Sequence, residues 1–239
     1  MNSTRRELLQ KLAAVSGLAI LAPVAVACTP SASADNQGQS GNGSGATSSG
    51  GAANGGTTSA TAEIPKARPE GWDAIAYNRD RGNAGAIPES YRAQINSADG
   101  ATQHLGKHLP YVATLAAGAV PAGMLALMWG DPSRGYAKHP NAAPSESNPT
   151  GHWYNWVKIR KATNDEAQEA ESRFSAWPTA GASDTGRYAA HEGTDVTTEG
   201  GKNTVYLVAL PSDVRSGDLV RVHAHCLTHG EYVDFITVP

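Results

Sequence analysis

Two residue types are scarce enough to exclude whole classes of protein. Cysteine occurs twice in 239 residues, as Cys28 and Cys226, so neither a disulfide framework nor a four-cysteine metal cluster can be built. Methionine occurs three times, as Met1, Met124 and Met128, so none follows Cys226. No charge sign dominates: the formal net charge of −3 gives no general attraction to nucleic acid. Aromatic residues make up 6 %, yet four of the five tryptophans fall between positions 129 and 177. The apolar run Leu12 to Ala27 is broken by Ser16, Gly17 and Pro23 and is short for a membrane-spanning helix.

What that run does have is the flanks of an export signal. Arg5, Arg6 and Lys11 precede it, and Thr4 to Lys11 resembles a twin-arginine motif, which directs export of folded proteins. Val24-Ala25-Val26-Ala27 before Cys28 resembles a lipoprotein cleavage site, which makes Cys28 the expected lipidation site. Residues 1–28 are therefore expected to be a signal peptide. Residues 29–63, almost wholly Ser, Gly, Ala, Thr and Asn, are expected to be a disordered linker. The expected location is the outer face of the cytoplasmic membrane, with contact to lipid through the anchor alone.

Residues 64–239 are expected to be one folded domain. His108 to Leu115, Ala119 to Trp129, His152 to Lys161, Thr204 to Leu210, Asp218 to Val222 and Tyr232 to Val238 read as short strands. Val157 and Ile159 alternate with Lys158 and Arg160, the period of a strand with one wet face. Pro88 to Arg92 reads as a short helix start, and the Ala/Glu-rich stretch Asn164 to Trp177 as a helix. Many short strands with Gly/Pro turns indicate an all-β sandwich or barrel.

The candidate chemistry lies in Val222-His223-Ala224-His225-Cys226-Leu227-Thr228-His229-Gly230, a turn between the last two strands. A thiol and an imidazole three positions apart on a turn can face one metal ion. By itself Cys226-x-x-His229 fits zinc, copper or iron: structural zinc sites use such pairs, and blue-copper turns do too, usually with a following Met. His108, His139 and His152 stand at expected strand ends or in a loop and are further candidate ligands. His104 and His191 lie in polar surroundings and read as ordinary surface residues. His223 and His225 share one strand face, opposite Cys226, and are reserve ligands or outer partners.

Taken together, Lys107-His108-Leu109-Pro110, His139-Pro140-Asn141, His152-Trp153 with Trp156 in the following strand, and Cys226-Leu227-Thr228-His229-Gly230 resemble the iron-site blocks of superoxide reductases. These are the neelaredoxin and desulfoferrodoxin proteins. The order matches, over roughly residues 99–239. The resemblance implies a seven-stranded immunoglobulin-like β-sandwich with inserted loops and a short helix. It implies one mononuclear iron, with His108, His139, His152 and His229 as imidazole ligands and Cys226 as axial thiolate. Lys107 would stand beside an open sixth position. Superoxide would be the substrate, a separate electron donor the partner, and a homo-oligomer the assembly. The family's Glu before the Lys is Gly106 here, and Glu146 is a candidate to replace it. The alternatives are a copper or zinc module of the same fold without this activity, and a variant that both oxidises and reduces superoxide.

Overall fold

The structure, a computed structural model, describes residues 63–239. The expected signal, Cys28 and all but the last residue of the expected linker lie outside the described residues. Among the described residues, eight antiparallel strands form two four-stranded sheets. The first contains β1 (Pro110–Val112), β2 (Met124–Trp129), β5 (Arg187–Ala190) and β6 (Thr204–Ala209), in the order β1-β2-β6-β5. The second contains β3 (Tyr154–Lys161), β4 (Glu169–Arg173), β7 (Leu219–Cys226) and β8 (Gly230–Thr237), in the order β4-β3-β7-β8.

Strand alternation decides which side chains enter the core. Leu125, Leu127 and Trp129 of β2, Val157 and Ile159 of β3, Tyr206 and Val208 of β6, and Val220, Val222 and Ala224 of β7 share one buried cluster. Cys226 continues the β7 series and is fully buried, while His223 and His225 are only partly covered. The expected opposition of Cys226 to these two histidines is thus what the strand delivers.

Two expectations need correction. The stretch expected to be a helix, Asn164 to Trp177, contains strand β4. Its charged residues alternate, and Glu169 and Glu171 both pair with Lys158 across the sheet, at 3.9 and 3.6 Å. Ser172 points inward and accepts the Ala209 N–H at 2.8 Å. A two-residue period with partners on β3 outweighs the helix propensity of Ala and Glu. Second, the strand expected from His108 shrinks to Pro110–Val112, and His108 ends a single 3₁₀ turn, Gly106–His108. The described residues form eight strands in two sheets, where the resemblance implies seven.

A small helical layer precedes the sandwich. Helix α1 (Ala74–Arg81) starts at Asp73, whose carboxylate accepts from the N–H groups of Ile75 and Ala76. Helix α2 (Glu89–Ile95) follows Pro88. Ile87, Tyr91, Ile95 and Leu105 pack with Tyr232 of β8 in a second core. Because β8 is an edge strand, its outer backbone groups need partners. The buried Asn78 side chain supplies them: its amide donates to Val233 O at 2.7 Å, and its carbonyl accepts from Val233 N at 2.8 Å. Asn78→Ala should therefore cost about 2–4 kcal/mol, since both Val233 groups stay buried and unpaired. Urea unfolding checks this, and a loss below about 0.5 kcal/mol would contradict it.

Candidate metal centre

Five side chains meet at one end of the sandwich. His108, His139, His152, Cys226 and His229 each offer a donor atom, and these atoms lie within 4.8 Å of one another. Each arrives on a separately fixed piece of chain. His139 is placed by its own N–H, which donates to Trp129 O at 3.0 Å. His152 forms a two-bond bridge with Ala142. Cys226 ends β7, opposite Tyr154 on one side and Gly230 on the other. The turn after it is stitched to the chain beside His152: Leu227 N donates to Trp153 O at 3.0 Å and the Thr228 hydroxyl to Gly151 O at 2.8 Å.

The donor atoms are specific. His108 Nδ1 lies 2.7 Å from His104 O, and a carbonyl can only accept, so the proton is on Nδ1 and Nε2 presents a lone pair. That Nε2 lies 3.1 Å from His229 Nδ1, and His152 Nε2 lies 3.0 Å from the same atom. Cys226 Sγ stands 3.6 Å from His139 Nε2 and 3.8 Å from His229 Nδ1. A single proton cannot satisfy four nitrogens and a sulfur pointing at one spot, whereas a cation can.

The spacing bears on the kind of ion. Two imidazole nitrogens about 2.1 Å from a shared ion stand about 3.0 Å apart at right angles and about 3.4 Å apart in a tetrahedron. The observed 3.0 and 3.1 Å are close enough for a shared ion and equally suit an N–H···N hydrogen bond while the site is metal-free. Five donors also exceed the four of a structural zinc site. The set fits a transition ion that accepts both imidazole and thiolate.

Aromatic rings wall the cluster. Tyr232 stacks on His108 at 4.2 Å, Tyr91 on His229 at 4.0 Å, and Trp129 on Tyr154 at 3.8 Å, with Tyr154 itself 4.8 Å from His139. Burial shifts the donors. It pushes the Cys226 thiol up to about 12, opposed by the N–H groups of Thr228 and His229 and by Lys107. It holds His152 at about 4, helped by the Lys107 charge, and His229 at about 2, helped by His152 and Lys107. Burial also keeps His108 and His139 well below the ordinary histidine value.

In the metal-free protein at neutral pH the imidazoles are therefore neutral and the thiol protonated. Metal binding should release one proton, from Cys226. Because the bound form holds one proton fewer, affinity should rise about tenfold per pH unit from about 6 to 9. Metal titrations at several pH values check this; a slope near zero or near two would contradict it.

All five expected ligands are brought together, and Lys107 lies beside them. Its Nζ is 5.3 Å from the Tyr91 ring centroid. His223 and His225 stay outside: they bond Glu231 at 3.0 Å and Asn155 at 2.6 Å. Glu146 is exposed and not among the donors. Gly106 has no room for a side chain, because a Cβ there would lie 2.3 Å from the Tyr136 ring and 2.8 Å from Ala101 O. His104 is more than a surface residue, since its carbonyl orients His108 and its Nδ1 meets the Tyr91 hydroxyl at 3.0 Å. Nothing local in the sequence marks Tyr91, Tyr154 or Tyr232 as site residues. Compared with protein-family models, curated proteins and solved structures, the chain matches none. Its chemistry rests on the donors themselves.

Proposed function

We propose that the protein is a non-haem iron superoxide reductase, acting outside the cytoplasmic membrane on a lipid tether. The observation that carries this reading is the donor cluster: the four histidines and the cysteine in the blocks that resemble that family meet at one buried point. Lys107, which the same blocks place beside the substrate position, is adjacent in sequence to His108 and acts on the charge of all five donors. On this reading the fold is the family's immunoglobulin-like sandwich, enlarged in the 161–203 region.

The reaction takes superoxide, one electron and two protons to hydrogen peroxide. Iron bound by the five donors would supply the electron and recover it from a separate donor. The chain's own part is to hold, attract and exclude. Four neutral imidazoles add no negative charge to the site and Cys226 adds one when deprotonated, so a divalent ion held there would keep a net positive charge toward an approaching anion. Lys107 offers a positive charge on the anion's approach. The Tyr91, Tyr154 and Tyr232 rings keep bulk water from the buried donors. With no side chain at Gly106, the position given to Glu in that family carries no carboxylate that could compete with the substrate.

The test is metal content, optical spectrum and superoxide consumption of protein matured in its native compartment. Iron, a thiolate-to-iron band and peroxide formed without oxygen are the expected results. Copper or zinc in place of iron would overturn the reading. Oxygen evolved without added reductant would point to a dismutase instead.

A further inference from the structure

Outside the donor cluster, the strongest unexplained feature is a shallow depression beside it. Asp99, His104, Lys107, Lys138, Pro140 and Lys202 line it. Lys107 and Lys138 each precede a donor histidine. Lys202 comes from another part of the chain, the loop between β5 and β6, which nothing in the sequence connects with the site.

That loop is held in place on both sides. Within it, the Asn203 side chain donates to Glu192 O and Asp195 O, both at 2.8 Å, and accepts from Glu192 N at 2.8 Å. Across to the donor loop, Asn141 N donates to Gly200 O at 3.3 Å and the Asn141 amide to Gly201 O at 2.7 Å. Asn141 is in turn fixed by the Tyr206 hydroxyl, which donates to its carbonyl at 2.5 Å. Gly201 has φ +77°, and a Cβ there would lie 2.3 Å from Asn141 O. Glu199, with φ 57°, is the one non-glycine residue of positive φ among the described residues. An L-residue in that conformation costs about 1–2 kcal/mol, so the turn is held by its surroundings.

The charges at this mouth are unequal. Lys138 pairs with Glu199 at 3.8 Å. Among the described residues neither Lys107 nor Lys202 has a carboxylate within ion-pair distance. Asp99 is the acidic residue of the lining, and its carboxylate is engaged by the Ser97 hydroxyl at 2.8 Å. An approaching anion thus meets three lysines, one of them paired with Glu199, against the single ionised carboxylate of Asp99 in the lining.

We propose that the β5–β6 loop is an anion-steering element, in which Lys202 is a second attracting charge beside Lys107 and Glu199 restrains Lys138. The ligand class is a small inorganic anion. This rests on the superoxide reading for the identity of that anion, but not for its charge. Lys202 touches no donor, so it acts on approach and not on the chemistry.

Two measurements test it. In the first, superoxide consumption is followed against ionic strength. Lys202→Glu should slow the second-order step by about threefold to tenfold at low salt. The deficit should vanish near 0.5 M salt, on the order of where screening removes interactions beyond a few ångströms. Lys202→Arg should keep the wild-type rate, and Glu199→Gln should raise it at low salt by freeing Lys138. In the second, hexacyanochromate(III), a paramagnetic trianion, is added to the zinc-loaded protein. It should broaden the amide signals of Lys107, Lys138 and Lys202, and Lys202→Glu should remove most of that broadening. Unchanged salt dependence together with unchanged broadening in Lys202→Glu would overturn the proposal. If the wild type does not consume superoxide at all, the functional reading falls, and the broadening alone decides whether the loop attracts anions.

Discussion

Cys226→Ser is expected to abolish the sulfur-to-metal absorption band and to lower superoxide reduction by at least about 100-fold, about 2.7 kcal/mol of barrier. The fold should survive. Serine is smaller than cysteine, and the side chain is fully buried at the end of β7. Its hydroxyl would face the same N–H groups, of Thr228 and His229, that lower the thiol's pKa. An oxygen so placed is not left unpaired, so metal-free stability should change by no more than about 1 kcal/mol. Four imidazoles remain, so some metal should still bind, with weaker pH dependence because no thiol proton is released. An unaltered spectrum in the variant would remove Cys226 from the ligand set. Loss of folding in the metal-free variant would instead assign Cys226 a packing role.

The other large effect is structural. Gly130→Ala is expected to destabilise the metal-free domain by more than about 3 kcal/mol, lowering Tm by roughly 6–12 °C. Gly130 follows β2 at φ +78°, and a Cβ there would lie 1.9 Å from Ala137 O and 3.0 Å from Lys107 Cα. Its N–H donates to Leu109 O at 3.0 Å. The position is a pinch point between the chain that carries His108 and the loop that carries His139. Backbone atoms cannot give way as a flexible side chain can, so both donors should shift and metal affinity should fall. Gly135→Ala is the control. It has nearly the same φ, +74°, but nothing within 4 Å of its would-be Cβ. It should show only the conformational cost, about 1 kcal/mol. Equal losses in the two variants would mean that crowding at Gly130 contributes nothing.

The residue types of the site were legible because ligand chemistry is local: thiolate and imidazole bind transition ions well, and the sequence holds only two cysteines and eight histidines. Placing Cys226 opposite His223 and His225 needed no more than the two-residue period of a strand. The 164–177 stretch was misread for the converse reason. Helix propensity is also local, but β4 exists because Lys158 and the β3 backbone stand beside it, and those partners lie several residues away in sequence. His139 and His152 stand 13 positions apart, and the Ala142–His152 bridge closes the loop between them so that both reach the cluster.

By itself, then, the sequence pointed to a mostly β domain and to a turn, Cys226 to His229, able to face a metal ion, which follow from side-chain chemistry and short-range periodicity. The set of five donors and the place of Lys107 beside them came from the resemblance of their blocks to superoxide reductases. Only the tertiary structure decided that the donors converge within 4.8 Å of one another, that tyrosines wall them in, that Tyr136 fills the space over Gly106, and that Lys202 joins Lys107 at the mouth. Each of those depends on strand register and on loops anchored across the sandwich, such as Cys226 opposite Tyr154 and Gly201 against Asn141. Such contacts are set by the packing of distant segments, and no window of neighbouring residues contains them.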